Sequence, residues 1–126
     1  MPAYKPENYN SVSPYLIVKD AGKTLQFLQD VFDATILRTY QAEQRSYLHA
    51  EAKVDDTIIM LADAAPGWPA ISCHVHIYVP DVDASFARAL RHGATAVQSP
   101  IQKDDADKRG GFSDEGGTTW WIATQQ

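Results

Sequence analysis

The strongest constraint on this chain is an order of elements that occurs twice. "SPYLIVKD" (13–20) reads as a short β-rich run ending on Asp20, and "AGKTLQFLQDVF" follows with Leu25, Leu28, Val31 and Phe32 at helical spacing. An aspartate at that junction caps a helix well, because its side-chain oxygen accepts one of the free first-turn N–H groups. "ATILRTYQ", "RSYLHAEAKV" and "TIIMLAD" then read as strands, the last two joined by the polar turn Asp55-Asp56. The second half repeats the order. "SCHVHIYV" is a strand, Asp81 a cap, and "VDASFARALRHG" a helix with Val82, Phe86, Ala89 and Leu90 on one face and Gly93 as its stop. "ATAVQSPI" and "TTWWIAT" are strands, with a fainter strand around Gly111 to Ser113 between them. A shift of 61 residues maps Val18 to Val79 and Asp20 to Asp81 at one end of the module, and Thr57 to Thr118 and Ala62 to Ala123 at the other. Between those ends Ala34-Thr35 pairs with Ala94-Thr95, a slip of one residue that a shorter second helix requires.

The repeat predicts an α+β fold of two tandem βαβββ modules within a single domain 1–126. Module one covers about 11–63 and module two about 72–126, and the Pro- and Gly-bearing connector "ADAAPGWPAI" (62–71) supplies the linker 64–71 between them. Each sheet has one helix to cover one face. Helices on the outer faces, with a curved sheet around a cleft, satisfy that count. A chain of 126 residues with 44% apolar content can fill one core but not two ordinary domains.

Charge and composition narrow the partners. Lys and Arg total 11 against 16 for Asp and Glu, a formal net charge of −5, so no basic surface for nucleic acid is expected. The lone Cys73 excludes an internal disulfide, no zinc-type Cys/His spacing occurs, and a reducing cytoplasm fits. "MPAYKPENYN" has neither a signal-peptide core nor a spanning stretch, so no membrane partner is expected. No Ser-His-Asp spacing, phosphate-cradling glycine loop or dinucleotide fingerprint is visible.

"PYLIVKDA", "HAEAKVDDTIIMLAD", "HVHIYVPDVDASFARALRHGAT" and "DEGGTTWWIAT", in that order and spacing, cover most of the chain. With them the sequence resembles the vicinal oxygen chelate superfamily, which includes glyoxalase I, bleomycin-resistance proteins and extradiol dioxygenases, and more closely its PhnB-like or glyoxalase-related branch. The resemblance implies four metal-ligand positions in metal-dependent members, which fall here on Ser13, Met60, His74 and Trp121. The internal repeat pairs the same residues, since 13 with 74 and 60 with 121 both differ by 61. Only His74 is a strong ligand, whereas divalent ions need three or four converging N, O or S donors. No metal or other cofactor is therefore expected, although His76, His49 and Glu51 stand as substitute donors to test.

By strand alternation His74, His76 and Tyr78 form one polar stripe while Val75, Ile77 and Val79 face the helix. Met60 and Trp121 point into the cleft, and Trp120 and Ile122 pack beneath a helix. The predicted ligand-binding set is Ser13, Tyr15, His49, Met60, His74, His76, Tyr78 and Trp121. Aromatic and apolar walls with a few polar tips suit flat organic molecules. Trp68 is expected at the pocket rim or an interface, and Cys73 as a buried structural thiol. "QKDDADKRGGFSDEGG" (102–117) is expected to be mobile or a lid. Family relatives resemble "GDR" and "DPFG" there; this chain has Asp107-Lys108 and Asp114 with "DEGG", and Lys108 or Arg109 is either an anion clamp or part of a solvated charge run.

The expected function is a metal-free small-molecule binding protein enclosing a planar apolar or aromatic ligand, such as an antibiotic or metabolite. The alternatives are a metal-dependent lyase or isomerase in the glyoxalase manner, and a metal-free acid/base enzyme using His74 or His76. No catalytic residue set is predicted. The resemblance also implies a homodimer, either side by side or with exchanged modules.

Overall fold

The structure, a computed structural model, describes residues 3–42 and 46–126. Module one runs β1 (Tyr15–Val18), α1 (Ala21–Phe32), β2 (Thr35–Gln41), β3 (Tyr47–Val54) and β4 (Thr57–Asp63). Module two runs β5 (His74–Tyr78), α2 (Val82–Arg91), β6 (Thr95–Gln102), β7 (Asp107–Ser113) and β8 (Thr119–Gln125). The βαβββ order is thus present twice. The start of the strand expected at "RSYLHAEAKV" includes Arg45, which lies outside the described residues.

Both helices begin in the same way. Asp20 (φ −143°, ψ 92°) and Asp81 (φ −144°, ψ 96°) are extended, and each accepts a backbone N–H three residues on, from Lys23 and Ala84, at 3.1 Å. They end differently. Asp33 takes the left-handed conformation (φ 54°) to close α1, while α2 closes through His92 with Gly93 left-handed behind it (φ 93°).

The sheets share one topology, β1-β4-β3-β2 and β5-β8-β7-β6, with β1 parallel to β4 and β5 parallel to β8. Tyr15 lies beside Met60, and His76 beside Trp121, so the 61-residue shift read from the sequence is a true spatial register. Strand alternation sends Leu16, Val18, Ala50, Ala52, Val54, Ile59 and Leu61 to the helix-covered side of the first sheet. Phe112, Trp120 and Ile122 do the same in the second.

The helices lie opposite the open faces, as the helix count requires, but those covered sides meet one another inside the chain. The Phe27 and Phe32 rings of α1 sit 5.9 and 6.2 Å from Phe112, and Phe32 sits 5.9 Å from Trp120. Arg88 of α2 donates to the Val31 carbonyl at 3.1 Å. One core therefore joins the modules, and the two open faces do not close on each other.

The expected mobile segment 102–117 is corrected at its centre: Asp107–Ser113 is β7, paired on both sides by β8 and β6. Its composition misleads because its neighbours bring the bulk. A Cβ on Gly110 would lie 3.1 Å from the Gln98 carbonyl oxygen and from the Pro100 ring, and one on Gly111 would lie 2.6 Å from the Trp121 indole. Leu90 is a second correction. It is 38% exposed, and Ser85 is buried among the apolar residues of α2 instead. Cys73 is half-buried rather than buried, with burial raising its thiol pKa above the usual value.

Candidate functional site

The second sheet's open face is an aromatic surface with Arg109 set between Asp105 and Asp107. His74, His76 and Tyr78 project from β5 while Val75 and Ile77 pack on the core, as alternation predicts. The Trp121 indole N–H donates to His74 Nδ1 at 3.0 Å, and the two rings are nearly parallel, 12° apart. Arg109 of β7 donates through Nε to His76 Nε2 at 3.1 Å and through Nη2 to Asp107 at 2.9 Å. Tyr78 donates its hydroxyl to the same carboxylate at 2.7 Å. That bond raises the Tyr78 pKa, while partial burial and then the Arg109 charge lower that of His76 against the opposing pull of Asp107. A hollow of about 220 Å³ lies here, lined by Gln98, Ile101, Asp107, Arg109 and Trp121 among others. Lys108 points the other way, to Asp83 of α2 at 2.7 Å, so of the two basic candidates only Arg109 faces the hollow.

The first sheet's open face is built on a buried carboxylate. Glu51 of β3 is 2% exposed, and both of its oxygens are used: one accepts the Tyr9 hydroxyl, the other faces His49 Nε2 at 2.8 Å. His49 Nδ1 lies 3.2 Å from the Tyr15 hydroxyl. Burial works against ionisation of Glu51, but hydrogen bonds from Tyr9 and His49, with the nearby Arg38 charge, outweigh it and hold the carboxyl below its usual range. The same bond holds the Tyr9 hydroxyl above its own. Arg38 of β2 lies over the Tyr9 ring, 5.3 Å from its centroid, and Met60 stands across from Glu51. The segment before β1 reaches this face because it runs along β4: Asn10 accepts the Ile58 N–H at 3.0 Å, and the Met60 N–H donates to the Pro14 carbonyl at 2.9 Å.

The eight predicted residues therefore fall into two groups. Tyr15, His49 and Met60 share the first face, with Ser13 at its margin bonded to Asn10 at 2.9 Å. His74, His76, Tyr78 and Trp121 share the second. Among the described residues, the hollow on the second face is lined from module two alone. Sequence reasoning left Tyr9, Asp107 and Arg109 out of the set and gave Glu51 only a substitute-ligand role. Glu51 had a signal, two residues from His49 on one strand; Tyr9 had none, because its position depends on a segment crossing from outside the sheet. Trp68, on the connector, is 66% exposed.

A larger hollow of about 350 Å³ runs along α1 between Lys19, Lys23, Asp30, His92 and Glu115. Two pairs face one another across it, Lys23 with Glu115 at 3.5 Å and His92 with Asp30 at 3.6 Å. None of the eight predicted residues lines it.

The donor set does not suit a divalent metal. Of the four implied positions only His74 has a strong donor, and its Nδ1 already accepts the Trp121 indole N–H. Among the described residues no three His, Cys, Asp or Glu side chains converge.

Comparison with known proteins agrees with this architecture. The family profile of the Glyoxalase/Bleomycin resistance protein/Dioxygenase superfamily matches residues 9–122. Protein Mb0911c of Mycobacterium bovis is 31% identical over 89% of this chain and 81% of its own length. Two solved structures share the fold at low identity. TioX from Micromonospora sp. ML1 has a TM-score of 0.78 at 21% identity, covering 93% of this chain and 99% of its own. TnmS3, an antibiotic binding protein from Streptomyces sp. CB03234, has a TM-score of 0.71 at 20% identity, covering 94% and 100%. With a profile spanning nearly the whole repeat and a register that obeys it strand by strand, the chain belongs to the glyoxalase/bleomycin resistance protein/dioxygenase superfamily.

Proposed function

We propose that this protein binds a planar, mostly apolar or aromatic small molecule on its open sheet faces, without a resident metal. The observation that carries the reading is Trp121. It occupies a position where metal-dependent relatives are expected to place a ligand, it lies over Gly111 where a side chain would collide with it, and it stacks near His74. A flat indole held over a glycine is a surface for another flat ring, and burial plus stacking supplies affinity while Arg109, His76 and Tyr78 set orientation. The antibiotic-binding description of TnmS3, a structure of the same fold, favours an antibiotic or similar metabolite as the ligand class.

Each face is open, so a homodimer that sets the first face of one copy against the second face of another would enclose the ligand. The exposed Tyr15, Tyr40, Leu48, Tyr78 and Ile101 side chains are the apolar surface such an assembly would cover. Titration with a panel of aromatic antibiotics, followed by tryptophan fluorescence, tests the reading. Saturable quenching that is lost in Trp121→Ala is expected; silence across the panel would overturn it. Light scattering is expected to give twice the chain mass.

A further inference from the structure

The first face contains a proton acceptor that ligand binding as described so far does not use. His49 Nε2 faces an ionised, buried carboxylate, so it carries the hydrogen and donates it to Glu51. That tautomer leaves the lone pair on Nδ1, where it accepts the Tyr15 hydroxyl at 3.2 Å. Tyr15 is 52% exposed and forms the solvent-facing end of this chain of bonds, while Glu51 is held on its other oxygen by Tyr9. The groups facing His49 are Tyr15 from β1, Tyr40 from β2, Tyr9 from the preceding segment with Arg38 over its ring, and Glu51 on its own strand; Met60 from β4 is apolar.

We propose that His49 Nδ1 takes a proton from an acidic hydroxyl, so that this face binds phenols or enols as their anions. This rests on the aromatic-ligand reading above and names the chemical class. The ligand O–H bond breaks and its electron pair stays on oxygen; an N–H bond forms at Nδ1, and the resulting imidazolium already points its other N–H at the Glu51 carboxylate. Tyr15, released from Nδ1, can donate its hydroxyl to the new oxyanion. The Tyr15 and Tyr40 rings, 5.6 and 6.1 Å from the imidazole, provide the walls for a flat ring. A carboxylic acid fits less well. It arrives already ionised at neutral pH, brings no proton for Nδ1, and meets both a lone pair and the Glu51 charge.

The test compares 4-nitrophenol, whose anion is coloured, with 4-nitroanisole, the same ring with its hydroxyl methylated. Below the free phenol's pKa the bound phenol is expected to show the phenolate absorbance, its apparent acid constant raised at least tenfold, one pKa unit. His49→Gln should abolish that shift while still binding 4-nitroanisole, with folding checked by circular dichroism, and Glu51→Gln should reduce the shift to a few-fold. Equal binding of both compounds with no phenolate band overturns the proposal and leaves the aromatic-binding reading standing. A band that persists in His49→Gln also overturns it, and failure of both compounds to bind counts against both readings.

Discussion

The open faces of the two modules occupy one register and carry opposite chemistry. Glu51 stands across from Met60, and Gly111 across from Trp121; His49 and Arg109 each lie two residues earlier, and Tyr15 and His76 fill matching places on the parallel strand. In module one a hydroxyl meets the His49 lone pair at 3.2 Å, and the imidazole leans on a buried carboxylate. In module two a guanidinium N–H meets the His76 lone pair at 3.1 Å, and the carboxylate's place is a glycine under an indole. A repeated fold constrains what points into its core. It constrains the open side only through space, so the histidine of one face is backed by a buried carboxylate and that of the other by an arginine held between aspartates.

The shared core is the feature most easily broken. Trp120→Ala removes a fully buried indole that also donates to Asp114 at 2.9 Å, and should cost about 3–5 kcal/mol; Ile59→Ala at the matching place in module one should cost about 2–5. Urea unfolding of either variant should remain a single transition, since one core serves both modules; two transitions would separate them. Gly111→Ala should cost about 1–3 kcal/mol by driving a methyl into the Trp121 ring, with a change in tryptophan emission, whereas the same change in a relaxed strand would not disturb it.

Acid should distinguish the faces. The Glu51 carboxyl titrates below its ordinary value of 4.5 in the fold, so its contribution to stability is complete above that pH and disappears as pH falls through the lower folded value. Glu51→Gln should cost about 1–3 kcal/mol at neutral pH, with the gap to the parent closing in strong acid. His76 responds earlier. Its folded pKa lies below 6.5, so the unfolded chain binds the proton more tightly and stability falls as pH drops below 6.5; His76→Gln should flatten that slope in a thermal-melt series. A single acid transition unaffected by either variant would erase the contrast.

The smallest effect should be the most symmetric. Asp20→Ala and Asp81→Ala each remove one N-cap of the same geometry, and thermal melts should show losses of about 1 kcal/mol apiece.

The caps, the order of elements along the chain and the alternation of β5 and β8 were legible because each rests on contacts within a few residues or on a period of two. The repeat added long-range information, since two copies of one register locate matching positions without any view of the fold. β7 was legible only as a faint strand at 111–113 because "DKRGGFS" carries its burial in its neighbours: the glycines are required by Trp121 and Pro100, on the strands that flank it. Leu90 misled because the helical face toward the core was drawn from spacing alone, while its neighbours expose it. The placement of the candidate residues was legible in part. Tyr15, His49 and the β5 stripe follow from alternation, yet Tyr9 reaches Glu51 across a separation of 42 residues, and Arg109 reaches His76 across 33.

By itself, the sequence determined the duplicated module, its caps, its registers and which strand residues leave the core, all of which follow from local hydrogen bonding and periodic burial. Tertiary structure alone decided that the helix-covered sides meet and leave both sheets open, and which polar side chains pair across strands. Those outcomes depend on which surfaces come into contact and on the volume left between them, quantities that no short window of residues contains.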